Sequence, residues 1–436
     1  MKEIQIGLIG AGTVGGGVVK LLDQKGSYFR DNLGIPLRLA RIADKAANRF
    51  TELPVGNAVC TDNASDIIND PDIDIVIELV GGTTFAKDLI IAALSKGKHV
   101  ITANKALIAE YGPTIFELAE KSGVSVLFEA SVGGGMPVIK TIRESLVGND
   151  ITSVKTIING TCNYILTQMS DKGLLFDTAL KKAQKSGYAE ADPTLDIGGG
   201  DSGHKVAIMA SLIYGGYVPL TKIYIEGISN ISKEDIESAR QLQCTIRLLG
   251  IIRKAPGEDC VDVRVHPTMI HKNHILASVR DVFNAVLLEG SAVGPTLLYG
   301  RGAGELPTAS SVVSDIIDIA RNITAGVPRR IPMNYYRLSN ELKIKPIADI
   351  VSRYYLCFWV SDKPKVLASI ATILGNYSIS ISSVLQQEST EESCVPVIML
   401  THKAVEKNVQ EALAEIETMD FVKKKTHLIR IAGRTY

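Results

Sequence analysis

Residues 188–210 read YAEADPTLDIGGGDSGHKVAIMA. Glu190, Asp192, Asp196, Asp201 and Lys205 surround a glycine run, and from Val206 the chain turns apolar. On a helix, Asp201 and Lys205 stand at i and i+4 and share one face. In water such a pair contributes only about 0.3–0.5 kcal/mol. The apolar run behind it implies that this end of the helix is partly buried, where a charge needs a partner or a task. A second lysine, Lys105 in ITANKAL, lies just past a buried strand. In an open α/β sheet, the crevice beyond the strands' carboxyl ends is where ligands bind. The plainer alternative for Lys105 is a solvent-facing residue at a helix start.

A third pattern opens the chain. IGLIGAGTVGGGV holds Gly10-x-Gly12-x-x-Gly15 between a strand and a helix. Glycines there let the backbone approach a pyrophosphate, while the helix start offers free N–H groups and partial positive charge. Asp44, near the end of the second strand, can accept from a ribose 2′-hydroxyl, which favours NAD. Arg41, Lys45 and Arg49 can instead neutralise a 2′-phosphate, which favours NADP. Asp44 lies further along than the roughly 20 residues usual for this role, so cofactor preference stays open.

These groups need a scaffold. Apolar runs at 4–9, 37–43, 73–80, 99–102 and 124–128 read as strands, with helices at 12–22, 85–95 and 106–121. Continuous apolar strands with helices between them indicate a parallel sheet covered on both faces. A Rossmann-type domain is therefore expected over 1–135, followed by a second α/β domain over 136–307, to which the resemblance given below assigns catalysis and dimerisation. Helix 308–325, with a Thr start signal after Pro307, is expected to pack back on the first domain. A linker over 326–348, rich in Pro, Arg and Lys, leads to a small α/β module at 349–436.

The composition excludes several classes. Lys plus Arg equals Asp plus Glu at 47 each, which argues against nucleic acid or a membrane surface as partner. No apolar run approaches the roughly 20 residues needed to cross a bilayer, and the strand pattern directly after Met1 leaves no room for a signal peptide. Six scattered cysteines without metal or redox spacing read as reduced thiols of a cytoplasmic protein.

The run AQKSGYAEADPTLDIGGGDSGHK at 183–205 resembles the homoserine dehydrogenase signature, with Gly187, the Asp-Pro at 192–193, Asp196, Gly199, Asp201 and Lys205 at family spacing. GAGTVG, TANK at 102–105, EASVGGGMP at 129–137, NGTCNYI at 159–165 and GRGAGELPTAS at 300–310 extend the resemblance over about 1–345. It begins at the first strand, so a monofunctional enzyme without a preceding aspartate kinase domain is expected. The resemblance implies reversible NAD(P)H-dependent reduction of L-aspartate 4-semialdehyde to L-homoserine, in threonine, methionine and isoleucine biosynthesis. It implies Lys205 as the acid–base residue, with Lys105 and Asp201 beside it. Substrate contacts fall to Glu190 for the α-ammonium, and to Asp196, Tyr188, Asp201, Gly160 and Thr161. Cofactor contacts fall to Gly10, Ala11, Gly12, Thr13, Val14, Gly15, Asp44, Lys45, Thr102, Lys105, Gly187 and Gly302. Glu129 with the carbonyls of Val132, Gly134 and Met136 would ligate sodium or potassium, since a hard cation favours oxygen. Asp192, before a proline, reads as a turn residue. Asp196 is either a substrate contact or the group that orients Lys105. A homodimer or homotetramer is implied.

The final module, YYLCFWVSDKPKVLASIATILGNYSISISSVLQQ, resembles an ACT domain, a βαββαβ fold that binds amino acids. Its loop at 362–367 carries Lys365 where that family usually has glycine. Threonine is the implied effector, and an effector-free dimerisation module is the alternative. A phosphorylating semialdehyde dehydrogenase would require a nucleophilic cysteine with a base beside it. Cys162 alone lies near the motifs, and nothing basic adjoins it in sequence.

Overall fold

The apolar runs at the N-terminus pair as a doubly covered sheet requires. In the computed structural model, β1 (Ile4–Ile9), β2 (Leu37–Ala43), β3 (Val59–Thr61), β4 (Ile75–Glu78), β5 (His99–Thr102) and β6 (Val126–Leu127) lie in the order β3-β2-β1-β4-β5-β6. Every pairing is parallel. This is the doubly wound order whose switch point, between β1 and β4, is the usual dinucleotide crevice. The structure describes residues 3–254, 257–327, 330, 341–386 and 394–433. Within the expected linker, 328–329 and 331–340 lie outside the described residues.

Helix Thr13–Leu33 runs well past the expected stop at Leu22, because Phe29 continues its buried face, and it ends on Gly34 in the left-handed region. Helix Glu305–Thr324 begins three residues before the expected Thr308, with Pro307 in its first turn, where the missing N–H costs nothing. Ala309, Val312, Ile316 and Ile319 of this helix join Val18, Val19, Ile4, Ile6 and Leu8 in one core. Fully burying each larger aliphatic side chain stabilises by about 1.5–3 kcal/mol.

The chain condenses into two compact units. The first comprises Met1–Val154, Asp201–Ile223 and Val282–Leu342, and the second Lys155–Gly200, Tyr224–Asp281 and Lys343–Tyr436. In the second unit the C-terminal module has the expected strand–helix–strand–strand–helix–strand order. Its main strands lie antiparallel in the order Val422–Ile431, Val351–Val360, Val395–Thr401, Ile381–Gln386. Helices Val366–Asn376 and Glu406–Ile416 supply Ile370, Leu374, Val409 and Leu413 to the core against Tyr354, Leu356 and Phe358. Lys365 has φ 76°, the conformation that glycine adopts without strain.

Candidate active site

Helix Gly200–Tyr214 buries every residue from Val206 to Leu212, which draws its polar first turn into the protein. Asp201 and Lys205 are 5% and 8% exposed. The Lys205 ammonium donates to one Asp201 carboxylate oxygen at 2.7 Å, and Lys105 Nζ lies 3.2 Å from the other. One carboxylate therefore stands between two ammonium groups. Lys105 is held there by the start of helix Lys105–Lys121, whose preceding Asn104 accepts the Leu107 N–H at 3.1 Å and donates to the Gly82 carbonyl at 2.6 Å. His204 adjoins the cluster. Burial holds its imidazole pKa below the usual value, the Asp201 charge opposing, and Nδ1 is buried without a hydrogen-bond partner among the described residues.

At the nucleotide end, a Cβ on Gly15 would lie 1.9 Å from the Gly10 carbonyl oxygen. Only glycine fits there, and the backbone is left bare where a pyrophosphate would approach. Ala11, Gly12, Thr13 and Val14 complete this turn into the helix. Asp44 braces it: one carboxylate oxygen accepts the Ala11 N–H at 2.7 Å and the other the Ala46 N–H at 2.8 Å. Arg49 donates to Asp44 at 2.9 Å and lies over Gly12. Burial works to raise the Asp44 pKa, but the amides of Ala46 and Ala11 and the Arg49 guanidinium outweigh it and hold the carboxyl low. Arg41 turns instead to Asp70 at 2.6 Å, while Lys45, after Asp44, is exposed.

Thr102 ends β5 fully buried, and its hydroxyl donates to Glu78 at 2.7 Å. The same Glu78 accepts the N–H groups of Val80 at 2.9 Å and Gly81 at 3.1 Å, tying the ends of β4 and β5 together. The sequence reading missed Glu78, Asn104 and His204. The run ELVGGTT after a buried strand was the available signal for the first.

The loop 129–137 closes on the Gly302 loop. A Cβ on Gly134 would meet the Gly302 backbone at 2.5 Å, and the Gly135 N–H donates to the Arg301 carbonyl at 3.2 Å. The Glu129 carboxylate accepts the Ile139 and Lys140 N–H groups, each at 2.8 Å, one on each oxygen. The carbonyls of Glu129, Gly134 and Met136 take bonds from Val132 N–H, the Ser311 hydroxyl and Val138 N–H at 3.4, 2.6 and 2.8 Å. Val132 is buried. Burial and the neighbouring Asp315 charge raise the Glu129 pKa to about 8. Among the described residues no group of three or more His, Cys, Asp and Glu is placed to hold a metal ion.

The second unit holds the remaining candidates. Asn159 starts helix Gly160–Lys172 by accepting the Cys162 N–H at 2.7 Å, and its amide donates to Asp196 at 2.7 Å. Thr161 donates to the Tyr188 carbonyl at 2.5 Å, and the Tyr188 ring stacks obliquely on Tyr164 with centroids 5.0 Å apart. Gly187 precedes them with φ 73°. Glu190 is exposed, its carbonyl accepting from Gln184 at 3.2 Å. Asp192 accepts the Thr194 N–H and hydroxyl at 3.1 and 2.6 Å, which is a turn role. Cys162 is buried and its thiol donates to the Asp196 carbonyl at 3.1 Å.

The glycine turn between β1 and its helix suits a nucleotide cofactor, and with the family matches the class is a nicotinamide-dependent oxidoreductase acting on a CH–OH group. Family models described as homoserine dehydrogenase, its NAD-binding domain and the ACT domain match residues 137–317, 10–129 and 354–420. The chain belongs to the homoserine dehydrogenase family, whose chemistry is part of amino-acid biosynthesis. It is 43% identical over 433 residues to a homoserine dehydrogenase of Neisseria gonorrhoeae, and 42% identical over 434 residues to one of Pseudomonas aeruginosa, each covering 99% of both chains. The crystal structure of a homoserine dehydrogenase from Thiobacillus denitrificans matches with TM-score 0.93 at 44% identity, over 99% of each chain. Among the described residues no helix is long and apolar enough to cross a membrane.

Proposed function

We propose that Lys205 is the proton donor and acceptor of this dehydrogenase, with Asp201 holding it in line and Lys105 supplying a second positive charge. The observation that carries the reading is the single Asp201 carboxylate shared by Lys205 at 2.7 Å and Lys105 at 3.2 Å. When bound, the nicotinamide supplies the hydride that reduces the aldehyde carbon of aspartate 4-semialdehyde. The carbonyl oxygen then carries the negative charge, which an ammonium neutralises by donating its proton, leaving homoserine and a free lysine amine. In the reverse direction that amine takes the hydroxyl proton. Asp201 keeps both ammonium groups near one point without itself giving up a proton. Glu190, exposed and with no hydrogen bond or ion pair to its carboxylate among the described residues, would bind the substrate's ammonium. Tyr188, Gly160 and Thr161 would shape that end, and Asp196 would act by fixing Asn159.

The cradle of Gly10, Gly12 and Gly15 would hold the pyrophosphate, with Gly187 and Gly302 as further backbone approaches. The Asp44 carboxylate is committed to two amides and Arg49, and Arg49 and Lys45 remain for a 2′-phosphate, so we favour NADPH over NADH. A sodium or potassium ion would be held by the carbonyls of Glu129, Val132, Gly134 and Met136, a neutral hard-oxygen set suited to it. Threonine is the proposed effector of the C-terminal module. The assembly is proposed as a homodimer, or a tetramer built from it, in the cytoplasm. Incubating the protein with aspartate 4-semialdehyde and NADPH or NADH should consume the reduced nicotinamide, faster with NADPH, and threonine should slow it. No consumption with either cofactor contradicts the reading.

A further inference from the structure

Glu78 ends β4 fully buried, and among the described residues no ion pair reaches it. A carboxylate taken out of water is costly unless hydrogen bonds hold it. Here three do. One oxygen accepts the N–H groups of Val80 and Gly81 at 2.9 and 3.1 Å, and the other accepts the Thr102 hydroxyl at 2.7 Å. Thr102 stands directly opposite Glu78 in the parallel pairing of β4 with β5.

The bonds continue past the strands. The Thr102 oxygen accepts the Asn104 N–H at 3.0 Å. The Asn104 side chain donates to the Gly82 carbonyl at 2.6 Å and accepts the Leu107 N–H at 3.1 Å. A ring therefore closes, from Glu78 across to Thr102, along to Asn104, and back to Gly82. Gly81 and Gly82 permit the return, with φ 78° and 75°, where a side chain would be strained. On one side the ring lies against the nucleotide turn, since a Cβ on Gly10 would lie 2.7 Å from the Leu79 carbonyl oxygen. On the other side the residue after Asn104 is Lys105, whose ammonium reaches Asp201 at 3.2 Å.

Of the two lysines on Asp201, Lys105 is the less enclosed: its side chain is 34% exposed, against 10% for Lys205. Lys205 takes its place from a buried helix, whereas Lys105 depends on how its helix start is held. We propose that Glu78 is a positioning residue for the reaction, fixing the helix start that delivers Lys105 to Asp201. Fully buried, it acts through Lys105 and not on the substrate. Bonds to an ionised acceptor are roughly twice as strong as neutral ones, which suits a carboxylate to this post. A displacement of about 1 Å at a reacting group can cost on the order of 10²-fold in rate. The inference rests on the reading of Lys105 as the second positive charge of the site. A staple that only stabilises the sheet would instead lower Tm and leave turnover per folded molecule intact.

A double-mutant cycle on the full-length protein separates the two, reading kcat and KM for homoserine oxidation with NADP+ per folded molecule, and Tm alongside. Glu78→Ala should lower kcat by about tenfold or more, with little change in the KM for homoserine. Glu78→Gln should recover most of that loss, because its carbonyl still accepts from Val80 and Gly81 while its amide donates to the Thr102 oxygen. With Lys105 gone, Glu78 has nothing left to place, so adding Glu78→Ala to Lys105→Ala should slow the enzyme little further. Thr102→Val keeps the shape and severs Glu78 from Asn104. It should reproduce the kcat loss, and it carries the test if Glu78→Ala does not fold. Near-normal kcat in either Glu78→Ala or Thr102→Val, a Glu78→Gln enzyme as slow as Glu78→Ala, or an equal loss with and without Lys105 overturns the inference. Near-normal turnover in Lys105→Ala overturns the role given to Lys105 and this inference with it. A slow Lys105→Ala enzyme beside a normal Glu78→Ala one overturns the inference alone.

Discussion

Asp201 faces two lysines that stand far apart in the chain, and only folding makes it the hinge of the site. Lys205 was legible from its spacing to Asp201 and the apolar run behind it, and Lys105 from its place after a strand. Their sharing of one carboxylate was not, because nothing in the sequence fixes the angle between helices Lys105–Lys121 and Gly200–Tyr214. His204, Glu78 and Asn104 escaped for a related reason: each acts by bracing a neighbour, and bracing leaves no periodic trace. The same holds for Asp44, whose carboxylate proves to tie down the glycine turn through Ala11 N–H at 2.7 Å. In the proposed preference for NADPH, Arg49, exposed beside it, would meet the 2′-phosphate. Arg49→Ala should raise the KM for NADPH by about tenfold, the value of one lost charge-assisted bond, and raise that for NADH less. Equal losses with both cofactors would contradict the assignment.

Helix Glu305–Thr324 serves two elements at once, packing on the nucleotide-binding core and closing the loop 129–140. At that joint Asp315 accepts the Glu129 N–H at 2.9 Å, and Lys140 lies 2.7 Å from Asp318 and 3.6 Å from Asp315. Burial raises the Asp315 pKa to about 7, with Lys140 and the Glu129 amide opposing. Both raised carboxyls bind protons more tightly folded than unfolded, where carboxyls titrate near 4. Their stabilisation is therefore complete below about pH 4 and lost as pH rises through about 7 and 8. Asp315→Asn should flatten the fall of Tm between about pH 5 and 8, removing on the order of 3 kcal/mol of pH dependence. A slope identical to wild type would exclude Asp315 as its source. Elements of this kind were readable where apolar runs were sharply bounded, as in β1, β2 and β5. Ends were less so: Phe29 carries the first helix past its expected stop because the deciding contact lies on another element.

The whole molecule divides into two units that are each discontinuous in sequence, the chain passing between them at Gly200–Asp201 among other points. Motif order along the chain reveals which modules are present but holds no signal for which distant strands share a core. The C-terminal module shows this, since its Arg430 is buried against Glu226 as well as Glu406. In the proposed mechanism catalysis rests on Lys205 exchanging a proton with the substrate oxygen. The most direct test is kcat/KM for homoserine oxidation by wild type and Lys205→Ala, with cofactor binding measured alongside. The expected variant is about 10²–10⁴-fold slower and still binds cofactor. A Lys205→Ala enzyme with near-normal turnover would contradict the mechanism.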